Sequence, residues 1–222
     1  MQVICTSDFH GNLPINVIPE GDILLIAGDI CPAYHTVVQS IPMQQKWLES
    51  KFLPWIKSVK EKNNIKDVVL VAGNHDWILS RKHPRDICPG LNEEIIYLQD
   101  SFVEINGLKI YGSPWQLPFC DWAFNKSEIQ LEVIWESIPK DTDILLSHSP
   151  PYGILDITTL SNENIGSHSL LKKIKEIKPK LVVFGHNHSG YGIHKEDDIT
   201  FINATLLDEQ YQMVNKPISI EI

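Results

Sequence analysis

The chain has only two arginines, Arg81 and Arg85, and its 28 acids outnumber its 19 basic residues, for a formal net charge of −9. An acidic surface repels nucleic-acid backbones, so long nucleic acid is not an expected partner, whereas a small nucleotide is not excluded. The densest basic stretch, Lys172 to Lys180, alternates with apolar residues and reads as the solvated face of a helix. Cysteine is sparse too. Cys5, Cys31, Cys88 and Cys120 are widely spaced, with no C-x-x-C, which argues against a zinc knuckle and a disulfide framework. Cys5 and Cys31 read as small buried hydrophobes. No apolar run approaches the roughly 18 residues of a membrane helix, so no membrane partner is expected. The opening MQVICTSDFHG shows no basic region or long apolar stretch of a leader, and the expected location is cytoplasmic. Internal repeats and low-complexity tracts are also missing, and 222 residues suit one domain spanning 1–222.

What is present is a series of short, continuously apolar runs. Gln2–Thr6, Ile23–Ala27 and Val68–Val71 read as strands buried on both faces. Gln39–Lys62 is helical in period, with a break expected near Pro54. Ile95–Leu98, Phe102–Ile105 and Leu108–Tyr111 read as strands, the last two joined by an Asn106-Gly107 hairpin turn. Then come a helix at Glu128–Ile138, a strand at Ile144–Leu146, a helix at Leu170–Ile177 and a strand at Leu181–Phe184. Gly190–Ile193 with Thr200–Ile202 form a closing hairpin, and Ile218–Ile222 alternates as an edge strand. Strands alternating with helices point to an α/β domain. The later hairpins imply mixed pairing and a second sheet. In such folds ligands gather at the carboxyl ends of strands.

Each of five polar blocks follows one of these runs: SDFHG at Ser7–Gly11, AGDI at Ala27–Ile30, AGNHD at Ala72–Asp76, SHSPP at Ser147–Pro151 and GHNH at Gly185–His188. Asp8 and His10, two apart just beyond a strand, can reach one ion. Asp29 has two carboxylate oxygens and can bridge two. Asn74 adds a neutral amide oxygen, and His148, His186 and His188 add imidazoles. This oxygen and nitrogen set without thiolate suits Mn²⁺, Fe, Zn²⁺ or Co²⁺ better than Ca²⁺. Two such ions a few ångströms apart activate a water between them for in-line attack on phosphorus. His75 is then the candidate proton donor to the leaving oxygen, oriented by Asp76. A single D-x-H or GD arises by chance, and a lone histidine is more often structural. His35, His83, His168 and His194 lack such context and are left as structural or exposed. Five blocks in this order, each after a buried strand, are a stronger signal.

This order of D-x-H, GD, GNHD, H and GHNH resembles the calcineurin-like metallophosphoesterase superfamily, over Ser7 to Tyr191. The resemblance implies a four-layer sandwich, two central mixed β-sheets flanked by helices, with a dinuclear metal site at the strand C-terminal edge. It implies a first metal on Asp8, His10, Asp29 and His188, a second on Asp29, Asn74, His148 and His186, and His75 as the catalytic histidine. Many members read GD-x-x-D, whereas Gly28-Asp29-Ile30-Cys31-Pro32 lacks the second acid. The segments Tyr111–Asn125, Asp141–Asp156 and Phe184–Gly192 also look like the animal metallophosphoesterase-domain-containing branch. That branch implies metal-dependent hydrolysis of phosphodiesters, cyclic nucleotides included. Two divalent cations are therefore expected, Mn²⁺ first, with Fe, Zn²⁺, Co²⁺ or Mg²⁺ as alternatives.

The aromatic segment Trp115, Phe119, Trp122 and Phe124 reads as a loop packed on the core or as an apolar pocket wall that stacks a base. Asn74, His75, Trp115 and Tyr191 are candidate substrate contacts, and Asn125 another for phosphate or sugar. The expected function is a phosphodiesterase for small nucleotides acting through a hydroxide that bridges the metals. The alternatives are a phosphomonoesterase, for which the motif blocks hold no arginine, and a non-catalytic scaffold of the same fold, for which the motif histidines should be degenerate.

Overall fold

The central strand residues are mostly β-branched or leucine on both faces, because these strands are sandwiched, whereas the edge strands expose polar residues on one face. In the computed structural model, which describes residues 1–33 and 37–222, they form two sheets. The first has the order β11-β1-β2-β3-β4: Ile218–Glu221, Gln2–Thr6, Ile23–Ile26, Asp67–Leu70 and Ile96–Tyr97. β1 to β4 run parallel, and β11 is an antiparallel edge on β1. The second sheet has the order β5-β6-β7-β8-β10-β9: Ser101–Ile105, Leu108–Ser113, Ile144–Ser147, Leu181–Phe184, Ile199–Asn203 and Gly192–Glu196. Its inner strands β6, β7, β8 and β10 are parallel, and both edges are antiparallel hairpin partners. Both sheets are mixed, as expected.

Period-two alternation sorts the apolar side chains into three cores. Val3, Cys5, Leu25 and Val69 meet Ile144, Leu146, Val183 and Ile202 between the sheets. The alternate residues Ile4, Leu24, Ile26 and Leu70 meet Phe52, Trp55 and Ile56 on one outer face. Leu145, Val182 and Phe184 meet Leu131, Trp135, Leu170 and Ile174 on the other. Helices α1 (Val37–Trp47) and α2 (Leu53–Lys62) supply the first cover. Two short helices, α3 (Pro84–Ile87) and α4 (Pro89–Asn92), precede β4; the second outer face is covered by α5 (Glu128–Trp135) and α6 (His168–Ile177). The α5 start is a capping box, with Ser127 and Gln130 bonding each other's backbone. The result is helices, sheet, sheet, helices.

Two local expectations meet different outcomes. No break occurs near Pro54. Leu48–Phe52 forms a π-helical turn in which the Leu53 N–H donates to Leu48 O, and Pro54 falls in the first turn of α2. The π-helical turn is where the helix accommodates the proline, which has no N–H to continue that series. The Asn106-Gly107 turn forms as expected, with φ of 51° and 79°.

No helix among the described residues is long and apolar enough to cross a membrane.

Candidate metal centre

The polar blocks become turns at the carboxyl ends of β1, β2, β3, β7 and β8, and backbone hydrogen bonds sew these turns together. Asp8 N–H donates to Gly28 O at 3.0 Å, His10 N–H to Asp29 O at 2.9 Å and Gly185 N–H to His148 O at 3.2 Å. Asp8, His10, Asp29 and His186 all have left-handed backbones, with φ of 57°, 43°, 51° and 66°. Such conformations are uncommon outside glycine and gather where surrounding structure and function require them. Two motif glycines are needed for close approach. A Cβ on Gly185 would collide with Ser7 Oγ and Asp8 Oδ2, and one on Gly73 with Asp29.

The side chains converge into two adjoining groups. Around Asp8, the Oδ1 atom lies 3.7 Å from His188 Nε2 and 4.0 Å from His10 Nε2, and the two imidazole nitrogens are 3.3 Å apart. Around Asn74, the Oδ1 atom lies 2.9 Å from both His148 Nε2 and His186 Nδ1. Asp29 Oδ2 joins the groups, 3.6 Å from His10 Nε2 and 3.5 Å from His148 Nε2. Ligand atoms each about 2.1 Å from one ion stand roughly 3.0–4.2 Å apart, according to the angle between them, so these spacings fit two cations sharing Asp29. The other Asp29 oxygen is taken: Oδ1 accepts from the His75 N–H at 2.7 Å. Oδ2 is thus the Asp29 oxygen that faces both groups.

The donor chemistry fits as well. His148 Nδ1 lies 2.7 Å from Ala27 O, and His188 Nδ1 lies 3.0 Å from Asp208 O. A carbonyl only accepts, so both Nδ1 atoms carry protons. A neutral His148 would then aim an Nε2 lone pair at the Asn74 and Asp29 oxygens, and a neutral His188 would aim one at Asp8. That arrangement needs positive charge between the atoms. Asp8 and Asp29 are at most 2% exposed, and no lysine or arginine among the described residues forms an ion pair with either.

Without bound cations that charge would come from protons. Burial alone would raise Asp29, but His148, His75 and His10 hold it well below its ordinary value. Asp8 is likewise lowered against burial, chiefly by His188. Burial opposes charge on His148, yet Asp29 and Asp8 carry it up to about 9, and Asp8 raises His188. Burial pushes His10 down to about 4 and, with His148, His186 down to about 3. Divalent cations would displace the protons on His148 and His188, the usual coupling of metal binding to proton release.

The calcineurin-like phosphoesterase sequence profile matches residues 1–190. The chain belongs to that family. Metallophosphoesterase domain-containing protein 1 of Homo sapiens is 33% identical over 243 residues, an alignment covering 99% of this chain and 70% of that protein. UPF0046 protein K07C11.7 of Caenorhabditis elegans is 32% identical over 234 residues, covering 98% and 74%. Among solved structures, TT1561 of Thermus thermophilus aligns over 91% of this chain and 88% of its own at a TM-score of 0.55 and 18% identity, a likeness of fold alone. Membership supports metal-dependent phosphoester hydrolysis, and the Asp and His clusters are candidate ligands for the family's two divalent metals.

The surroundings of this phosphoesterase centre differ from the sequence expectation in several places. Asp76 does not orient His75. Its Oδ1 accepts from Cys31 N at 2.8 Å, and its Oδ2 from Gly73 N at 2.8 Å and Ile30 N at 3.4 Å. Burial and Asp29 push its pKa up to about 6. Asp76 thus ties the β3 turn to the β2 turn, where the second acid of GD-x-x-D is missing. His75 is instead fixed through its backbone, its carbonyl accepting from buried Gln44 Nε2 at 2.7 Å. Its ring lies 4.5 Å from His10 and 4.2 Å from Trp122, centroid to centroid.

The aromatic contacts also move. Trp115 faces away: its Nε1 donates to Asp100 at 2.7 Å, and its ring packs on Phe124 under Lys126. Trp122 and Phe119 take the place at the centre, with Phe119 6.2 Å from the His186 ring. Asn125 staples their loop shut, accepting from Gln116 at 3.0 Å and donating to Cys120 O at 3.0 Å. Tyr191 donates to Lys216 O at 2.9 Å, and no ring contact joins it to the cluster among the described residues. Tyr211, absent from the sequence reading, packs on His10 and His188. His83 packs on Tyr97, His168 stacks on Tyr152 and His194 pairs with Glu196, all outside the cluster. His35 lies outside the described residues.

Proposed function

We propose that this chain is a phosphodiesterase acting on small nucleotides, cyclic ones among them. The contact between His75 and Trp122 carries the reading. The Trp122 ring centroid lies 4.2 Å from that of His75, so a leaving oxygen that takes its proton from His75 would bring its organic group beside the indole. A nucleoside offers a flat base to stack there; a small alcohol does not. The largest electrostatic influences on the cluster come from its own acids and histidines, with no lysine or arginine among them. A monoanionic diester suits such a site better than a dianionic monoester. Two bound cations would supply Lewis-acid polarisation of the phosphoryl group and activation of water. Asp8, Asp29, Asn74 and the imidazoles would hold the cations, His75 would pass a proton to the leaving oxygen, and Trp122 with Phe119 would set the leaving group.

The donor set of carboxylate, amide and imidazole supports Mn²⁺, Fe, Zn²⁺ or Co²⁺ as the native ions. The four free cysteines, three of them buried, suit a reducing, cytoplasmic setting.

Trp122→Ala tests the stacking. Losing about 1–3 kcal/mol of stacking should raise KM for 2′,3′-cyclic AMP by roughly 5- to 150-fold. KM for glycerol 1,2-cyclic phosphate, a diester without a base, should stay unchanged. Equal effects on the two substrates would contradict the reading.

A further inference from the structure

The chain returns to the metal cluster once more, through a turn that carries no metal-ligand motif. Leu206 N–H donates to Ser7 O at 3.0 Å, which delivers the segment that follows to the end of β1. Leu207 and Met213 pair across a turn, and Asp208 organises it. Its Oδ1 accepts from Gln210 N and Gln212 N at 2.9 Å each, and its N–H donates to Gln212 O at 2.9 Å. The Asp208 carbonyl accepts from Tyr211 N at 2.9 Å and from His188 Nδ1 at 3.0 Å. One carbonyl therefore sets both a candidate metal ligand and the tyrosine beside it.

Tyr211 is held with φ of 59°, a conformation a tyrosine adopts only when its surroundings impose it. Its ring meets His10 and His188 edge-on, at centroid distances of 4.9 and 5.2 Å. The residue remains 44% exposed. Its hydroxyl has no hydrogen-bond partner among the described residues. Ring contact alone would be served by phenylalanine, so the hydroxyl is the unexplained part. Trp122 and Phe119 lie against His75 and His186, and Tyr211 lies against His10 and His188. The aromatic residues thus flank the cluster from two sides. A phosphoester bound at the cluster has anionic oxygens to satisfy, and no lysine or arginine is among the groups that dominate its electrostatics. A neutral O–H donor supplies the missing hydrogen bond without adding charge.

Resting on the reading that phosphoesters bind at this cluster, we propose that Tyr211 is a substrate-contacting residue whose hydroxyl donates a hydrogen bond to a phosphoryl oxygen.

The test uses the full chain loaded with Mn²⁺, with inorganic phosphate as the calorimetric probe and Tyr211→Phe as the variant. The variant should keep the wild-type metal content and melting temperature. It should bind phosphate about 10-fold more weakly, the scale of one hydrogen bond to a charged group, and lose a similar factor in kcat/KM for bis-p-nitrophenyl phosphate. Tyr211→Leu, which removes the ring as well, should bind phosphate no better than Tyr211→Phe. Equal phosphate affinity in wild type and Tyr211→Phe would overturn the proposal. So would metal loss in Tyr211→Phe, which would make the residue a support for His10 and His188, or a wild type that binds no phosphate. A wild type that binds phosphate through Tyr211 yet hydrolyses no diester would remove the phosphodiesterase reading and leave this contact standing.

Discussion

Asp29→Ala is expected to release both cations and abolish hydrolysis. The reason lies in one atom. Asp29 Oδ2 stands 3.6 Å from His10 Nε2 and 3.5 Å from His148 Nε2, so it belongs to both ligand groups. Removing an outer partner of a ligand costs roughly 10–100-fold in metal affinity or activity, and removing a shared ligand should cost more. Alanine also strips the acceptor from the His75 N–H, so Asp29→Asn is the cleaner companion. It retains an oxygen for that N–H at Oδ1, while an NH2 group that cannot bind a cation replaces Oδ2. Both variants should lose metal, measured by elemental analysis after gel filtration. Retention of one full equivalent in Asp29→Asn would show that the two sites do not share this residue.

His75→Ala is expected to do the opposite, keeping both cations and losing turnover. A lost proton donor typically costs about 10²–10⁴-fold in kcat. Geometry leaves a real alternative, because His75 forms a close group with His10 and Asp29 that could itself hold an ion. Burial holds the His75 pKa below its ordinary value, which favours the neutral imidazole of a ligand over the protonated ring of a donor. Metal content measured beside kcat separates the roles. Full occupancy with slow turnover fits the proton donor. Loss of an equivalent would make His75 a ligand, and the leaving group would then lose its assigned neighbour at Trp122.

The sequence showed the fold wherever local pattern and burial coincide. Gln2–Thr6 and Leu181–Phe184 are apolar on both faces because each strand lies between two cores, and the motif blocks end these strands because ligands gather at parallel strand ends. The convergence of Asp8, Asp29, Asn74 and His148 could be anticipated from that order. The outer supports could not, because each depends on a contact distant in the chain. Gln44 sits in α1 and reads as a surface residue until its amide reaches His75, 31 residues away. Asp76 looks like a partner for its neighbour His75, but the β2 turn offers it backbone N–H groups at hydrogen-bond distance. Of two tyrosines past the last motif, Tyr191 is adjacent in sequence and turns away. Tyr211 is 20 residues further on, in a polar turn, and returns only because Leu206 pairs with Ser7. The Trp115 and Trp122 exchange has a similar cause: Asp100 captures Trp115, while the Ala123 N–H donates to Asn74 O at 3.1 Å and docks Trp122 against the GNHD turn.

The proposed activity is phosphodiester hydrolysis with two metals bound at this cluster. The most direct test is turnover by metal-stripped protein reloaded with Mn²⁺, comparing 2′,3′-cyclic AMP and bis-p-nitrophenyl phosphate with p-nitrophenyl phosphate. Two bound ions per chain are expected, with higher kcat/KM for both diesters than for the monoester. A faster monoester, or no turnover with both ions bound, would contradict that activity.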